Sequence, residues 1–530
     1  MPSSGTRPQQ RIAHKLRELM QGKVLADLKI RQRYARDQSI YEIRPAVVAF
    51  PEDSADVQRL VAFAAQEGLP ITPRGGGSGL AGSALGEGLV VALPQNEFWG
   101  RISGFAAERD RALVSAGAGV YHQELQKFLR EQGFFLPADV TSAAISCLGG
   151  NIATKASGPH ALKFGSIDRF LTQVEFVTAQ GELVDTAREA TIPARFREKL
   201  DDLERRINAD EAARGVLEAR RGLKTASGYN LFAFLDELPL GERLAQLLVG
   251  SVGTLGLVTR ATLRGERYEP ERAAVLLYFA ELAETGRAVC RLRELDVAAI
   301  ELISRETVRL LRERTTLPAS LVTDANLLLV ELSGPACREG IDKINTLLER
   351  SGLHLAAPLV AATSGEELEN LWELRRQILW LIQHPQPSLR ALAVVNDVGV
   401  PPEQLAGFIA DVQQVMAEHH LVTLIYGHAG NGNLHLRPLF DVTRPDLKGR
   451  IRRLADDVYE TVFRHGGTVT AEHGMGRLRA PYLRREWGAA LYDYMREVKD
   501  IFDPQGLFNP GVMFNEAPIT DHLRPDLLKP

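Results

Sequence analysis

The sequence predicts an α+β protein of more than one domain, and three observations lead to this prediction. The chain has 530 residues, more than a single hydrophobic core accommodates. From residue 46 to residue 263, short apolar segments typical of strands alternate with amphipathic helices, and glycine clusters recur between them. Beyond residue 266, longer helices separate the apolar segments, which is typical of a sheet covered by helices on one face.

The first elements follow from local patterns. Apolar side chains recur near helical spacing over residues 11–31, which predicts one helix that docks on the rest of the chain. A strand over residues 46–50 leads into a helix that begins with Ser54 as its N-cap and ends at Gly68. The apolar segment at residues 69–72 is the next strand and completes a compact β–α–β unit.

A glycine-rich loop at residues 73–82 follows this strand directly. Without Cβ atoms, such a loop turns several successive N–H groups toward one phosphate-sized anion. Residues 77–82 fit the pattern GxGxxG, but a strand-like segment at 89–93 follows instead of the helix that a Rossmann unit requires. The apolar strands on both sides disfavour the alternative of a flexible linker. Three further glycine-bearing stretches, expected to join this loop in one cofactor groove, are residues 146–158, 164–165 and 250–259.

The second half contains a further set of strands and one helix with a clear start. The helix covers residues 364–383, where Ser364 and Glu367 form a capping box. The predicted strands are residues 273–278, 327–332, 391–395 and 421–426.

Charged residues around 264–272 interrupt the pattern and indicate a domain boundary, and the turn-rich segment 502–511 is expected to return to the first domain. We therefore divide the chain into an N-terminal helical arm, a first domain, a second domain and a C-terminal segment, at residues 1–38, 39–265, 266–495 and 496–530.

Composition excludes several classes of function. A net charge of −4 provides no electrostatic footprint for nucleic acid or for an anionic membrane. The apolar runs are too short to span a bilayer, and the first ten residues lack the apolar region of a signal peptide. The three cysteines are widely spaced and form neither a disulfide framework nor a zinc or iron–sulfur pattern. We expect a cytoplasmic protein without an integral membrane segment.

A glycine-rich turn at residues 426–437 concentrates polar side chains suited to catalysis. The turn folds His428 back toward His435, and Arg437 shares the face of His435 through the two-residue period of a strand. Taken singly, each histidine is more typical of a structural or solvated residue.

A second glycine-punctuated segment, residues 469–476, ends a strand with Glu472 and His473. Together with His428 and His435, Glu472 suits a divalent metal with open positions for substrate. His473 is then free to act as a general base, because its ordinary pKa is near 6.5. Arg375 and Arg376 lie on the predicted helix over residues 364–383. One of the two is expected to point inward and hold a carboxylate.

In this order, the motifs resemble those of FAD-linked oxidases and dehydrogenases of the vanillyl-alcohol oxidase type. The resemblance is closer to the D-2-hydroxyacid dehydrogenase branch, which includes D-lactate and D-2-hydroxyglutarate dehydrogenases and the glycolate oxidase flavin subunit. It implies a two-subdomain FAD-binding domain and an α+β cap domain with a helix-covered antiparallel sheet. The segments that carry it are residues 73–82, 149–158, 253–256, 428–435, 472–476 and 509–511.

The resemblance implies FAD in the first domain. Members with covalent flavin carry a histidine in the glycine loop, which here reads Gly77-Ser78-Gly79, so we expect non-covalent FAD. The residues implied to bind it are Pro73, Arg74, Gly75, Gly76, Gly77, Ser78, Gly79, Gly82, Thr141, Gly149, Gly150, Asn151, Thr154, Ser157, Gly158, Gly253, Val258 and Asn509.

The resemblance also implies the chemistry of the second domain. His428, His435 and Glu472 match residues that bind zinc or manganese, and His473 matches the base that takes the substrate proton. The remaining match, Arg375, corresponds to an arginine that binds the substrate carboxylate, and Arg437 is the candidate for a distal carboxylate.

The implied partners are a small 2-hydroxy acid and an electron acceptor other than NAD. That acceptor is a quinone, a flavoprotein, a cytochrome or a separate iron–sulfur subunit, and contact with it would be the only link to a membrane. A homodimer is compatible with this interpretation.

Departures from the family pattern keep two alternatives open. Val252 and Asn431 replace acidic residues of the family motifs, and Asn396-Asp397 stands where several members have Glu-Asp. The first alternative is a metal-free oxidase of alcohols or sugars on the same fold. The second is a flavin-binding subunit that relays electrons to an iron–sulfur partner without chemistry of its own.

Overall fold

The structure of the chain, a computed structural model, describes residues 8–315, 317, 321–383 and 388–527. It combines helices with three sheets, so the α+β prediction is confirmed. Residues 1–7 of the N-terminal arm and residues 528–530 of the C-terminal segment lie outside the described residues.

The N-terminal arm is not the single helix that its apolar spacing predicts. It consists of helix α1, strand β1 and helix α2, at Pro8–Leu19, Lys23–Leu25 and Leu28–Arg33. The carboxylate of Asp56 accepts hydrogen bonds from the backbone N–H groups of Gln21 and Gly22, at 2.9 and 2.8 Å. Because these N–H groups bond to a distant side chain, the helix stops and the chain extends into β1.

The first sheet continues from this arm. Its further elements are strand β2, helix α3, strand β3 and strand β4, at Val47–Phe50, Ser54–Glu67, Ile71–Arg74 and Leu89–Ala92. The strand order is β1-β2-β4-β3, with β4 parallel to both of its neighbours. Asp53 caps α3 rather than the predicted Ser54, since its carboxylate accepts the N–H of Asp56. Gly68 ends α3 with a left-handed φ of 62°, as predicted.

The second sheet is antiparallel. Its strands β5 to β10 are Ile102–Glu108, Arg111–Gly117, Phe134–Phe135, Leu171–Val177, Leu183–Asp185 and Leu257–Arg267. Their order is β5-β6-β10-β8-β9, and β7 pairs with the end of β10. The helices α4 to α9 are His122–Glu131, Leu148–Thr154, Ala161–Phe164, Ala194–Ala209, Glu211–Arg220 and Leu240–Leu248.

The third sheet is the largest. Its strands β11 to β18 are Arg272–Phe279, Ala299–Ile303, Asn326–Ser333, Ala357–Ala362, Leu389–Ala391, Asn396–Gly399, Thr423–Gly427 and Asn433–Asp441. The order is β14-β11-β13-β12-β17-β18-β15, and β16 also pairs with β18. The helices α10 to α16 are Leu282–Leu292, Arg305–Arg314, Cys337–Arg350, Gly365–Gln383, Leu405–Glu418, Leu447–Arg464 and Leu483–Phe502.

Helices cover both faces of the third sheet, whereas the sequence pattern predicts cover on one face. On β11, Val275 and Leu277 pack in the core shared with α10, α12 and α14. Leu276 and Tyr278 pack on the opposite face with α11 and α13. The continuous apolar run of β11 is typical of a strand buried on both sides. The three boundaries between the four predicted segments remain a prediction.

Two local predictions have different outcomes. The capping box of α13 is confirmed, because the Ser364 N–H donates to Glu367 Oε2 at 3.1 Å and the Glu367 N–H donates to Ser364 Oγ at 3.3 Å. The predicted strand at residues 391–395 is wrong in position: two short strands, β15 and β16, pair with opposite ends of β18. β18 therefore pairs with the residues before and after 392–395, and residues 392–395 themselves form no strand.

Within the part of the chain that the structure describes, no helix combines the length and the apolar character that crossing a bilayer requires.

Candidate functional site

One cavity of about 730 Å³ collects the predicted site residues from both halves of the chain. Its first wall is made by the glycine-bearing stretches around residues 73–79, 146–158 and 251–258, and its second wall by the third sheet. The stretch at residues 164–165, which was expected to join this groove, does not line it. All predicted cofactor-binding residues line it except Gly82 and Asn509. The predicted metal-binding and catalytic residues line it as well, namely His428, His435, Glu472, His473, Arg375 and Arg437. Their roles stay predictions.

Backbone amides of the glycine loop face this cavity. Among the described residues, the N–H groups of Gly77, Ser78 and Gly79 have no hydrogen-bond acceptor. Gly77 has a φ of 70°, which favours glycine and helps to turn successive amides outward. Unpaired amides in a loop of this shape suit a phosphate group.

Two other glycines in the loop have a packing role that the sequence did not indicate. A Cβ on Gly75 would collide with Sγ of Cys147, and a Cβ on Gly76 would collide with the carbonyl oxygen of Ile145. These glycines therefore allow the loop before α5 to approach the first loop closely. Between them the two loops form one continuous wall.

Arg74 and Ser146 both belong to this wall, but they differ in whether their polar groups already have hydrogen-bond partners. Arg74 donates to the backbone carbonyls of Tyr34 and Arg36, at 3.2 and 2.8 Å, so its guanidinium anchors the loop to the N-terminal arm. The Ser146 hydroxyl is buried and has no partner among the described residues. A free hydroxyl in the cavity wall fits a ligand with hydrogen-bonding groups, as FAD is.

Gly82 and Asn509 support the loops from behind. The α-carbon of Gly82, at a φ of 75°, lies against the ring of Tyr41 and leaves no room for a Cβ. The Asn509 amide donates to the carbonyls of Ser83 and Val252, each at 2.7 Å. Asn509 thereby ties the C-terminal segment to two of the glycine-bearing loops.

The hairpin of β17 and β18 positions the two histidines. Its register pairs Tyr426 with His435, and Gly432 closes the turn with a φ of 70°. His428 returns beside His435 as predicted, with ring centroids 5.3 Å apart. Both imidazoles are buried.

The carboxylate of Glu472 joins the two histidines to the first half of the chain. Its Oε1 lies 3.1 Å from Nε2 of His428 and 3.4 Å from Nε2 of His435. Its Oε2 accepts hydrogen bonds from Ser157 Oγ at 2.9 Å and from Lys224 Nζ at 2.6 Å. One oxygen therefore faces the histidines, while a hydroxyl and an ammonium hold the other.

His473 lies beside this cluster with its side chain partly open to the cavity. Its ring stacks on His435, with centroids 5.1 Å apart, and its Nε2 lies 3.7 Å from Glu472 Oε1. The buried carboxylate of Asp397 accepts the backbone N–H groups of Glu472 and His473, at 3.1 and 2.8 Å. Asp397 thus fixes the backbone that carries both residues, and it has a left-handed φ of 80°.

The histidines differ in charge because their neighbours differ. Burial lowers the pKa of His435 to about 3, and it also lowers the pKa of His473. Both are therefore neutral at pH 7. Burial opposes charge on His428 as well, but the carboxylates of Glu301 and Glu472 outweigh it and raise its pKa to about 9. Burial likewise opposes charge on Glu472, yet His428 and Lys224 hold its pKa well below the ordinary value.

This donor set fits a divalent cation. The ligand atoms of Asp397, His435, Glu472 and His473 all lie within 4.8 Å of one another. The Asp397 carboxylate is already occupied by backbone and side-chain donors, including Thr470 Oγ1 at 2.6 Å. His428 is not a member of this cluster, and its Nε2 lies 3.1 Å from Glu472 Oε1. The predicted ligand set of His428, His435 and Glu472, in which both Nε2 atoms approach that one oxygen, remains a prediction.

The two predicted arginines have different surroundings. Arg375 on α13 donates from Nε to Glu301 Oε2 at 2.8 Å and lies over the Tyr426 ring, 4.9 Å from its centroid. Arg437 on β18 is 6% exposed, and its Nε has no partner among the described residues. Arg437 thus lines the cavity without an acidic partner among the described residues, as Arg390 also does.

Two buried charged side chains of the site were missed from the sequence, namely Glu301 and Lys224, and Asp397 was named only as part of a departure from the family pattern. Glu301 stands inside the apolar strand β12, where a charged residue is itself a signal, since buried strands rarely hold one without a partner. Lys224 lies in an ordinary polar loop, and nothing in its local sequence distinguishes it.

Comparison with known proteins agrees with this site. Residues 45–187 match the family described as FAD binding domain, and residues 269–513 match the family described as FAD linked oxidases, C-terminal domain. The two matches cover part of the first wall of the cavity and the whole of the third sheet.

The relatives extend over most of the chain. The chain is similar to a D-2-hydroxyglutarate dehydrogenase of Stutzerimonas stutzeri, with 28% identity over 93% of this chain and 96% of the relative. It is also 28% identical to a D-2-hydroxyglutarate dehydrogenase of Escherichia coli, over 90% of this chain and 48% of the relative, so the chain spans about half the length of that protein.

Solved structures agree on the fold. The 4-ethylphenol oxidase from Gulosibacter chungangensis superposes with a TM-score of 0.67 at 16% identity, over 97% of this chain and 99% of that one. The resemblance to the vanillyl-alcohol oxidase type is thereby confirmed at the level of fold. With a matching domain in each half, the chain combines the two domain families named above and is an FAD-dependent oxidoreductase.

Proposed function

We propose that the chain oxidises a D-2-hydroxy acid to the 2-oxo acid, with non-covalently bound FAD and a divalent cation, and passes the electrons to an acceptor other than NAD. The observation that carries this proposal is the meeting of His428, His435, Glu472 and His473 in the cavity lined by the glycine loops. The names of the relatives support the substrate class.

Bound FAD would supply the hydride acceptor, and a bound zinc or manganese ion would supply the Lewis acid that polarises the substrate hydroxyl. His428 and His435 would hold the cation through Nε2, and Glu472 through Oε1. Lys224 and Ser157 keep the other Glu472 oxygen engaged, so the carboxylate presents a single oxygen to the cation.

His473 is the candidate base. Its lowered pKa leaves a neutral imidazole at pH 7 that can accept the hydroxyl proton as hydride leaves the α-carbon. The Asp397 carboxylate, 3.6 Å from Nδ1, favours the tautomer with the proton on that nitrogen. The side-chain amide of Asn396 lies 3.1 Å from the same nitrogen, and its oxygen has no other partner among the described residues. Rotation of this amide lets its oxygen accept Nδ1–H, which leaves Nε2 as the basic atom facing Glu472.

The resemblance implies that Arg375 binds the substrate carboxylate and makes Arg437 the candidate for a distal one, but the surroundings of the two arginines favour Arg437 for the substrate carboxylate. A buried guanidinium without an acidic partner is costly unless an anion enters, and the cavity beside it is where substrate would lie. Arg375 shares its charge with Glu301, so it would offer only its remaining N–H groups to a second anionic group.

One observation favours a second candidate, a metal-free alcohol oxidase. The Lys224 ammonium already neutralises Glu472, which reduces the attraction of the site for a cation. Chelation separates the two candidates, because it would leave a metal-free enzyme active.

Anaerobic mixing tests the proposal. We expect D-lactate or D-2-hydroxyglutarate to bleach the flavin absorbance, chelation to prevent the bleaching, and zinc or manganese to restore it. His473→Gln should abolish bleaching with FAD and metal still bound, whereas His419→Gln, at a solvent-facing ion pair with Asp457, should not. Bleaching by the L-enantiomers alone, or bleaching that survives chelation, would refute the proposal.

A further inference from the structure

We infer that Glu301 is a positioning residue that couples the cation ligand His428 to Arg375, so that one carboxylate fixes both the metal site and the substrate side of the cavity. The inference rests on the proposed function and extends it to a residue that contacts neither cofactor nor substrate.

The contacts of Glu301 are direct. It lies on β12 and is fully buried. Its Oε1 accepts Nδ1–H of His428 at 2.6 Å, and its Oε2 accepts Nε–H of Arg375 at 2.8 Å. Because each oxygen holds a different cationic group, neither contact can shift without moving the carboxylate.

The contact with His428 sets the tautomer of the ligand. With one proton held on Nδ1, Nε2 is the ring nitrogen that faces Glu472, and a cation that displaces the proton of Nε2 finds its lone pair directed into the site. Without Glu301 the ring could rotate or carry its proton on Nε2, and the cation would lose a ligand.

The contact with Arg375 extends the coupling across the cavity. Arg375 lies over the ring of Tyr426, and that ring lies 5.1 Å from the ring of His435. The second imidazole of the metal site thus packs against the residue that Arg375 covers. Glu301 reaches His428 through a hydrogen bond and His435 through this packed pair.

Glutamine at position 301 cannot replace both contacts. A carboxylate offers acceptor atoms at both oxygens, whereas an amide offers one carbonyl oxygen and turns N–H donors toward the other partner. Glu301→Gln therefore leaves either His428 or Arg375 facing a donor, with little change in volume.

The chain provides a matched control in Glu331. It is equally buried on the neighbouring strand β13, and it accepts hydrogen bonds from His160 Nε2 at 3.0 Å and Trp372 Nε1 at 2.5 Å. Glu331 does not line the cavity. Glu331→Gln thus removes a carboxylate that also holds a histidine and an indole, while leaving the contacts of His428 and Arg375 with Glu301 in place.

The experiment measures Mn²⁺ binding to the FAD-loaded protein by calorimetry, together with the KM for D-2-hydroxyglutarate or D-lactate and the melting temperature. We expect Glu301→Gln to raise the Kd for Mn²⁺ by about 10- to 100-fold and to raise KM as well. We expect Glu331→Gln to lower the melting temperature without moving either value. Equal effects of the two variants, or a change in melting temperature alone for Glu301→Gln, would overturn the inference.

A second variant keeps the test decisive if Glu301→Gln does not fold. Arg375→Met removes the other end of the bridge, and we expect a raised Kd for Mn²⁺ although Arg375 is not a ligand. An arginine that only binds substrate would raise KM and leave Mn²⁺ affinity unchanged, and that result would contradict the coupling. If wild-type protein binds no Mn²⁺, the proposed function fails together with the inference, whereas normal wild-type binding with unchanged variants refutes the inference alone.

Discussion

Raising the pH from 6.5 to 9 should destabilise the metal-free protein through the deprotonation of His428. Burial opposes the charge of this imidazole, but Glu301 and Glu472 outweigh it and raise its pKa to about 9. A histidine whose pKa in the folded state exceeds the unfolded value stabilises the fold fully below the unfolded value. This contribution is lost as the pH rises through the folded value.

The magnitude follows from the two pKa values. From 6.5 in the unfolded chain to about 9 in the fold, at about 1.4 kcal/mol per pH unit, His428 contributes about 3 kcal/mol. His160 acts in the same direction, because burial lowers its pKa less than Asp139 and Glu331 raise it. The lowered pKa values of His435 and His473 act at lower pH, since their contributions are present above 6.5 and lost on acidification.

Urea unfolding of FAD-loaded, chelator-treated protein at pH 6.5 and pH 9 provides the assay. We expect the free energy of unfolding to fall between these pH values, and the fall to be smaller by about 3 kcal/mol in His428→Gln. The contribution of His160 is the same in both proteins, so it cancels when the two falls are compared. An equal fall in both proteins, or no fall in the wild type, would refute the assignment of a charged His428 between two carboxylates.

Three further substitutions test other parts of the site. Lys224→Met leaves a buried carboxylate without its ammonium, so the free energy of unfolding of the metal-free protein should fall by about 3–5 kcal/mol in urea titration, and a fall below 1 kcal/mol would contradict a structural ion pair. Gly76→Ala should lower FAD affinity about tenfold, measured by the flavin content of purified protein, because the loop must move away from its neighbour; Gly215→Ala, mid-helix with open space around its α-carbon, should retain FAD. Arg437→Met should raise the KM for a D-2-hydroxy acid about 100-fold. The control Arg376→Met, at an exposed arginine of α13 that pairs with Glu369 and Glu373, should leave the KM unchanged, and equal effects of the two variants would exclude a carboxylate site at residue 437.

Much of the site could be predicted because its residues are organised locally. The return of His428 beside His435 follows from a glycine turn and from the two-residue period of a strand, and both features can be recognised within about ten residues of sequence. The repeated glycine stretches already indicated one groove, but the individual residues expected to bind FAD came from the family resemblance, because they lie far apart in sequence.

The remaining features depend on contacts distant in sequence. The arm at residues 11–31 has helical spacing, yet Asp56 ends its helix by accepting two N–H groups from more than thirty residues away. Lys224 donates a hydrogen bond to Glu472 from a distant part of the chain, and no local sequence pattern predicts this pair. The packing role of Gly75 is likewise set by Cys147. Local spacing describes what a segment prefers, and partners elsewhere decide which preference is realised.

The central claim is that a divalent cation binds between the two histidines and the carboxylate in the cavity that holds FAD. Anomalous diffraction from crystals of the FAD-loaded protein grown with Mn²⁺ tests it most directly. We predict one strong peak at bonding distance, about 2.0–2.3 Å, from the side chains of His428, His435 and Glu472. A fully occupied FAD site with no peak there, or a peak bound by other residues, would contradict the claim.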